Sequence, residues 1–537
     1  SNKGMKVALV EMKDFASGTS SRSSKLLHGG VRYLEQFEFK LVFEALSDRN
    51  KLFKKIPQIA KPLPFLVPIY KGYKKGLMWM NLGLSVYDFL SLVSKNAVTS
   101  LHRLLPSSNS VSNYEPEITK NNLKGAIKYF DGICDDARLT LENIKTASSQ
   151  GATISNYVKI IGFEKDFSGK AVAAIAKDLV TGEDFKIKAK SFVNASGPWV
   201  DAVNKTVDSD YKNKLKPTKG IHIILPKITD GNALLIKTPV EPIRWAFIIP
   251  YGSYSIVGTT DTESKVKDDD YSYLDEDNYA TEEEVQYLLS IVNHYYPHLK
   301  FTEKDIVSSY GGWRPLMAPE NDSVSESDIS RDHEIFETDS GVVCIGGGKL
   351  TAFMSMSKDI VSYLIKNKGL KRSKNLKSDY PEILSWNTNL SLEEYILKEY
   401  NKFELKDREL VNHLIQKYGT EYETVLAILN SSPEMNDKIK NLSSDTQIYR
   451  GEVVYSILFE MSMTISDFMI RRNRIILKDI NQGLNALDEI SDLVSSTLST
   501  ILDLSESDIV KMIQAQKEEY IKEVSKVNEA IISNSLT

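Results

Sequence analysis

Cysteine is nearly missing from this chain of 537 residues: Cys134 and Cys344 are the only two. Two distant thiols cannot frame a disulfide-stapled scaffold, and no CxxC or Cys/His spacing offers a structural zinc site. A reducing, cytoplasmic interior suits them. A charge excess is lacking too. The net charge is -5 and the pI about 6.0, which leaves no basic stripe for nucleic acid, so any bound anion must meet a local cluster of cations. No apolar run reaches the roughly 18 residues that a spanning helix needs, and no charged-then-apolar signal segment opens the sequence. The most apolar stretch, 76–93, is interrupted by Asn81 and Asp88. It reads either as a buried helix or as one lying on a membrane surface.

What is present is the material of a large folded protein. Hydrophobic residues make up 42% and charged residues 26%, enough to bury a sizeable core, and the length calls for two or three domains. "KVALV" reads as a strand of a parallel sheet covered on both faces, ending in Glu11. In a dinucleotide-binding unit an acidic residue at such a strand end holds a ribose, about 20 residues after a GxGxxG turn. Only ten residues precede Glu11. This reading therefore expects the first strand, its glycine turn and most of the first helix to lie ahead of Ser1; a surface glutamate is the alternative.

Directly after this strand, residues 17–35 crowd small hydroxyls, three glycines, the lone His28 and the cations Arg22, Lys25 and Arg32 into one run. Farther on, the pattern predicts a helix from about Asp136 to a stop at Gly151, then a meander with turns at 166–169 and 181–183. "NASGPW" is a strand and a Gly-Pro turn. Strands over 219–261 with few helices between them suggest a second sheet. "CIGGGKLT" places Gly346, Gly347 and Gly348 before a helix, where backbone amides and the helix dipole favour an anion; an ordinary tight turn fits equally well. Beyond about Lys374 a 3.6-residue periodicity with many charges predicts a separate helical domain.

Taken in order, "FASGTSSRSSKLLHGGVRYLEQFEFKLVFEAL", "DDARL", "NASGPWV", "KGIHIILP", "GTTD", "GGWRPL" and "GGGKLT" resemble the FAD-dependent glycerol-3-phosphate dehydrogenase family. The resemblance runs from about Lys6 to about Leu364, and "DFMIRRNRI" is more loosely similar to the family's C-terminal domain. It implies an α/β + α fold in three parts. These are an FAD-binding Rossmann-like domain, incomplete at its N-terminus (1–70, 125–210 and 305–370), a mixed or antiparallel-sheet substrate domain (71–124 and 211–304) and a C-terminal helical domain (375–537).

The resemblance also implies roles for particular residues. Contacts to FAD fall on Glu11, Thr19, Ser20, Ser21, Lys25, Leu27, His28, Gly29, Gly30, Val158, Ala195, Gly197, Gly347, Gly348, Lys349, Leu350 and Thr351. Glycerol 3-phosphate is met by Arg32, Tyr33, Arg314 and Lys349, with Arg331 as a further cation, and no metal takes part. His222 is the expected base, beside Arg314, because an imidazole titrates near neutrality; a strand histidine bonded to backbone is its alternative. His102, His294, His298, His333 and His413 stand in no motif. Electrons pass to a quinone, as in a dehydrogenase peripheral on the inner face of the membrane, or to oxygen with release of peroxide. A flavin-free binding protein that keeps the pocket is a third reading, and a homodimer is a compatible assembly.

Overall fold

The computed structural model describes every residue except 2–3, 74–75, 95–98, 242, 264–269, 277, 320–331, 372–381, 445 and 533–537, and leaves out the side chains of 32, 35, 36, 530 and 532. Its largest element is a ten-stranded sheet. The order is Thr262–Glu263, Thr218–Pro226, Tyr254–Gly258, Trp245–Tyr251, Ala233–Lys237, Ala60–Tyr70, Leu123–Cys134 and Leu26–Leu27, with Ser308–Arg314 and Arg103–Leu105 joined at the sides. Strands expected in both the cofactor and the substrate units thus share one sheet. The 123–134 strand is mostly buried, and the 218–226 strand is buried on both faces up to its last residue.

Three small sheets stand apart. Ala8–Val10 pairs in parallel with Thr153–Ser155, and Val193–Asn194 in parallel with Val343–Gly347. These are the strands expected of the nucleotide layer, and Glu11 follows the first of them; that strand is parallel as expected but is not covered on both faces, since Val7 and Leu9 are exposed. The meander Val158–Lys165, Ala171–Asp178 and Asp184–Lys188 is antiparallel throughout. Its first turn closes where Asp166 accepts hydrogen bonds from the backbone of Ser168 and Lys170, and Gly169 takes a left-handed φ. The helix Asp136–Ser149 begins at Asp135, whose carboxylate caps the Arg138 N–H, and ends before Gly151 at φ +84°.

The C-terminal part is helical, as its periodicity predicts. Ser391 and Glu394 form a capping box on Leu392–Tyr400, and Trp386, Leu392, Tyr395, Val411, Leu414 and Tyr422 build a core of their own. From Ile439 onward the helices share the main core with the sheet: Ile465, Phe468 and Ile490 belong to one cluster with Val31, Tyr33 and Phe65. Both cysteines are buried and unpaired.

Candidate active site

Between the parallel strands and the large sheet lies a cavity of about 2830 Å³. One wall is the hydroxyl-rich run, and a single carboxylate anchors it. Asp136, the second aspartate of "DDARL", accepts from Ser23 N–H at 3.1 Å and Ser23 Oγ at 2.7 Å, and pairs with Lys25 Nζ at 3.1 Å. The Lys25 ammonium also donates to the Ser21 carbonyl. Burial, aided by the nearby Arg474 charge, pushes the lysine down. Lys25 is therefore a brace inside the loop; it does not line the cavity.

The opposite wall follows from strand register. The strand Thr218–Pro226 sets His222 opposite Gly258 on one neighbour and Tyr310 on the other, and the next strand sets Phe247 opposite Gly258. Directly paired residues share a face. The His222 ring accordingly lies flat on Tyr310, centroids 4.8 Å apart, and Gly258 leaves it room, because a Cβ there would strike the ring. His222 Nε2 stands 2.8 Å from Ser24 Oγ, whereas Nδ1 is buried with no hydrogen-bond partner among the described residues. Burial first, then the charges of Arg314 and Lys25, hold this imidazole well below its usual range. Both effects favour the neutral ring.

Two pairs along the same face, Arg314 stands opposite Thr218. Its guanidinium donates from Nη1 to Asp261 at 3.0 Å, and from Nη2 to Thr259 Oγ1 at 2.8 Å and the Thr260 carbonyl at 3.0 Å. Across the cavity, Lys349 Nζ lies 3.4 Å from the centre of the Tyr33 ring, the His28 N–H donates to Thr351 Oγ1 at 3.2 Å, and the His28 and Phe247 rings approach to 6.1 Å. The strands and loops thus bring His28, Gly30, Tyr33, His222, Arg314, Lys349 and Thr351 onto one cavity.

Glu11, Thr19, Ser20, Val158, Ala195, Gly197, Gly347, Gly348 and Leu350 line the same cavity. Burial pushes the Glu11 carboxyl up. The Thr19 hydroxyl is turned to the Trp313 carbonyl at 2.5 Å. Ser21, Leu27 and Gly29 stand behind the wall, with Leu27 packed into a core with Leu52 and Phe53. The triple glycine does not open the helix directly: a short 3-10 turn, Leu350–Ala352, intervenes before Phe353–Asn367, and the Gly347 and Gly348 N–H groups go to the Pro315 and Asp332 carbonyls. Gly30, Gly347 and Gly348 all have left-handed φ, which explains glycine at these places. Arg331 and the side chain of Arg32 lie outside the described residues.

Sequence reasoning missed Ser24, Trp245, Phe247 and Asp261, although "GTTD" and "WAFIIP" were visible as strands and motifs. It also missed Arg471, which reaches the cavity rim from the helical part while paired with Asp14 at 2.5 Å. A local pattern gives no sign of that contact.

The family described as FAD dependent oxidoreductase matches residues 1–355, and the C-terminal domain of alpha-glycerophosphate oxidase matches residues 386–500. The aerobic glycerol-3-phosphate dehydrogenase of Staphylococcus epidermidis is 34% identical over 534 residues, covering 98% of this chain and 90% of its own. That of Staphylococcus aureus is 36% identical over 515 residues, covering 93% and 87%. The crystal structure of the Bacillus halodurans glycerol-3-phosphate dehydrogenase complexed with FAD superposes with a TM-score of 0.74 at 26% identity, over 98% of this chain and 91% of that one. The donor set suits that cofactor: a carboxylate at a parallel strand end, a hydroxyl-rich loop, and bare left-handed glycines facing a cavity with ample room for a dinucleotide. Through both its nucleotide-binding and its helical parts, the chain belongs to the FAD-dependent oxidoreductases, among the aerobic glycerol-3-phosphate dehydrogenases.

Proposed function

We propose that the protein oxidises sn-glycerol 3-phosphate at C2 to dihydroxyacetone phosphate and passes the electrons to a quinone. The observation that carries the chemistry is a neutral imidazole and a guanidinium on one face of one sheet, in the wall of the same cavity. FAD, when bound, supplies the acceptor for the hydride that leaves C2. The hydroxyl proton goes to His222 at Nε2, the nitrogen that meets Ser24 at the cavity, since Nδ1 is sealed inside the protein. Oxidation of the alcohol thus removes one hydride and one proton, and nothing else.

The phosphate falls to Arg314, Lys349 and Arg32, with Arg331 as a further cation. Arg314 is held in the cavity wall by Asp261, Thr259 and the Thr260 carbonyl, so its guanidinium is in place before substrate arrives. Glu11 and the hydroxyl-rich loop are assigned to the ribose and pyrophosphate of FAD, and His28 and Gly30 to the neighbourhood of its ring.

Quinone is favoured by the helix Leu77–Val93. Met78, Leu82 and Phe89 on it are 71%, 59% and 63% exposed, an apolar face suited to a lipid surface. No helix among the described residues is long and apolar enough to cross a membrane; the proposed association is peripheral, through this apolar face, on the inner side of the membrane. A second reading, oxidation by O2, is favoured by the match of residues 386–500 to an oxidase domain. One experiment separates them. FAD-loaded protein mixed anaerobically with glycerol 3-phosphate should bleach its flavin absorbance, while glycerol should not. A quinone analogue should then restore the colour faster than oxygen, with little peroxide formed. Bleaching by both alcohols alike overturns the substrate, and fast stoichiometric peroxide overturns the acceptor.

A further inference from the structure

Behind the cavity wall, a buried polar chain runs from the backbone of Gly29 into the apolar-faced helix. The Gly29 N–H lies 2.8 Å from Tyr87 Oη, and Tyr87 Oη lies 2.7 and 2.8 Å from the two oxygens of Asp131. An amide N–H only donates, so the tyrosine oxygen accepts from Gly29 and its own hydrogen goes to Asp131; the Gly29 N–H also reaches Asp131 Oδ1 directly, at the longer distance of 3.3 Å. Asp131 is held in turn by Arg49 Nη1 at 2.6 Å, and Arg49 Nη2 by Asn50 Oδ1 at 2.9 Å and Ser91 Oγ at 3.0 Å. Every group in this chain is buried. Its polarity is fixed from end to end, and Gly29 is its one backbone terminus in the hydroxyl-rich loop.

We infer that Tyr87 is a positioning residue for the cofactor, its hydroxyl gripping the Gly29 peptide from behind so that His28 and Gly30 face the cavity on either side. The inference rests on the reading of this cavity as the FAD site. His28 and Gly30 line the cavity, whereas Gly29 is turned away, with its Cα so close to the helix that an added Cβ would lie 2.6 Å from Tyr87 Oη and 2.7 Å from Leu46 Cγ. The loop is thereby held at a fixed depth. A core filled with apolar side chains serves folding as well as a buried ion pair does, and often better. What Tyr87, Asp131 and Arg49 add is a direction and a distance. They also tie the loop to the Leu77–Val93 helix, which supplies both Tyr87 and Ser91.

The test is Tyr87→Phe in the full chain, which keeps the ring against Tyr129 and removes only the oxygen. Two quantities are read well below the melting temperature: hydrogen exchange of the amides at 28–30 without FAD, and the dissociation constant for FAD. Exchange at Gly29 should quicken, and FAD should bind roughly tenfold to a hundredfold more weakly, the effect of losing one hydrogen bond within a charged network. Unchanged exchange with unchanged FAD binding overturns the assignment. Faster exchange with unchanged FAD binding overturns it too, since the grip would then be structural only. Failure of the unaltered protein to bind FAD at all sinks the reading of the cavity, and this inference with it. Should Tyr87→Phe not fold, Ser91→Ala, one bond farther along, should move both quantities in the same direction by about threefold, and no movement there overturns the proposal.

Discussion

At the scale of single residues, His222 carries the sharpest expectation. Its neutral form is favoured first by burial and then by two positive neighbours, so the base stays unprotonated through the range near pH 6.5 where a free imidazole charges. Flavin reduction at saturating substrate should therefore hold its rate as pH falls through that range and lose it only at lower pH. Replacing the ring by an amide, His222→Gln, should slow the reduction step by about two orders of magnitude, the lower end of what a general base contributes, and leave substrate binding nearly intact. Single-turnover reduction at the parental rate would remove His222 from the mechanism. The histidine stood out in the sequence because "KGIHIILP" places it on a strand within a recognisable motif. Its neighbours did not stand out. Tyr310 comes from another strand, and the register of the sheet puts it against the ring, while Ser24 reaches Nε2 from the hydroxyl-rich loop.

Elements were legible where their signals are local. The strand before Glu11, the helix from Asp136 to its stop at Gly151 and the turns of the meander each announce themselves within a few residues. The helix Leu77–Val93 is the instructive case, since composition left it between a buried and a surface role. The structure divides it by face: Met80, Leu84 and Tyr87 are buried, while Met78, Leu82 and Phe89 are open. If the open face meets lipid, Leu82→Glu with Phe89→Glu should cut sedimentation with anionic vesicles at least tenfold, each buried apolar side chain being worth about 1.5 to 3 kcal/mol. Turnover with a water-soluble acceptor should be unaffected, because neither residue lines the cavity. Equal vesicle binding by the variant would mean that another surface makes the contact.

For the whole molecule, the joint between the N-terminal loop and the helical part was the least legible feature. Asp14 and Arg472 are separated by 458 positions, yet the carboxylate accepts from Arg472 at 2.7 and 2.8 Å and from Arg471 at 2.5 Å. Nearby, Glu460 faces Arg138 at 2.6 Å, and Arg474 pairs with Asp136. No local pattern identifies such partners, and "DFMIRRNRI" read simply as a helical segment; the structure makes its first six residues a π-helix with the arginines at its end. Burial alone pushes Asp14 up, but Arg472 and Arg471 outweigh it and hold the carboxyl below its usual range; Arg138, Lys145 and Arg472 do the same for Glu460. A carboxylate whose folded pKa is depressed stabilises the fold fully above its unfolded value of about 4, and that contribution drains away as pH falls toward the folded value. The melting temperature should thus decline as the solution is acidified below about pH 5. Asp14→Asn removes the carboxylate that two buried arginines share, leaving Arg471 with Asp467 and Arg472 with the more distant Glu460, and should cost about 3 to 5 kcal/mol at neutral pH. The same variant should show a shallower loss between neutral pH and acid, because its share of the proton linkage is gone. Thermal melts of both proteins across that range decide the matter: equal stability at neutral pH, or parallel curves on acidification, would mean that this clamp does not hold the helical part to the nucleotide loop.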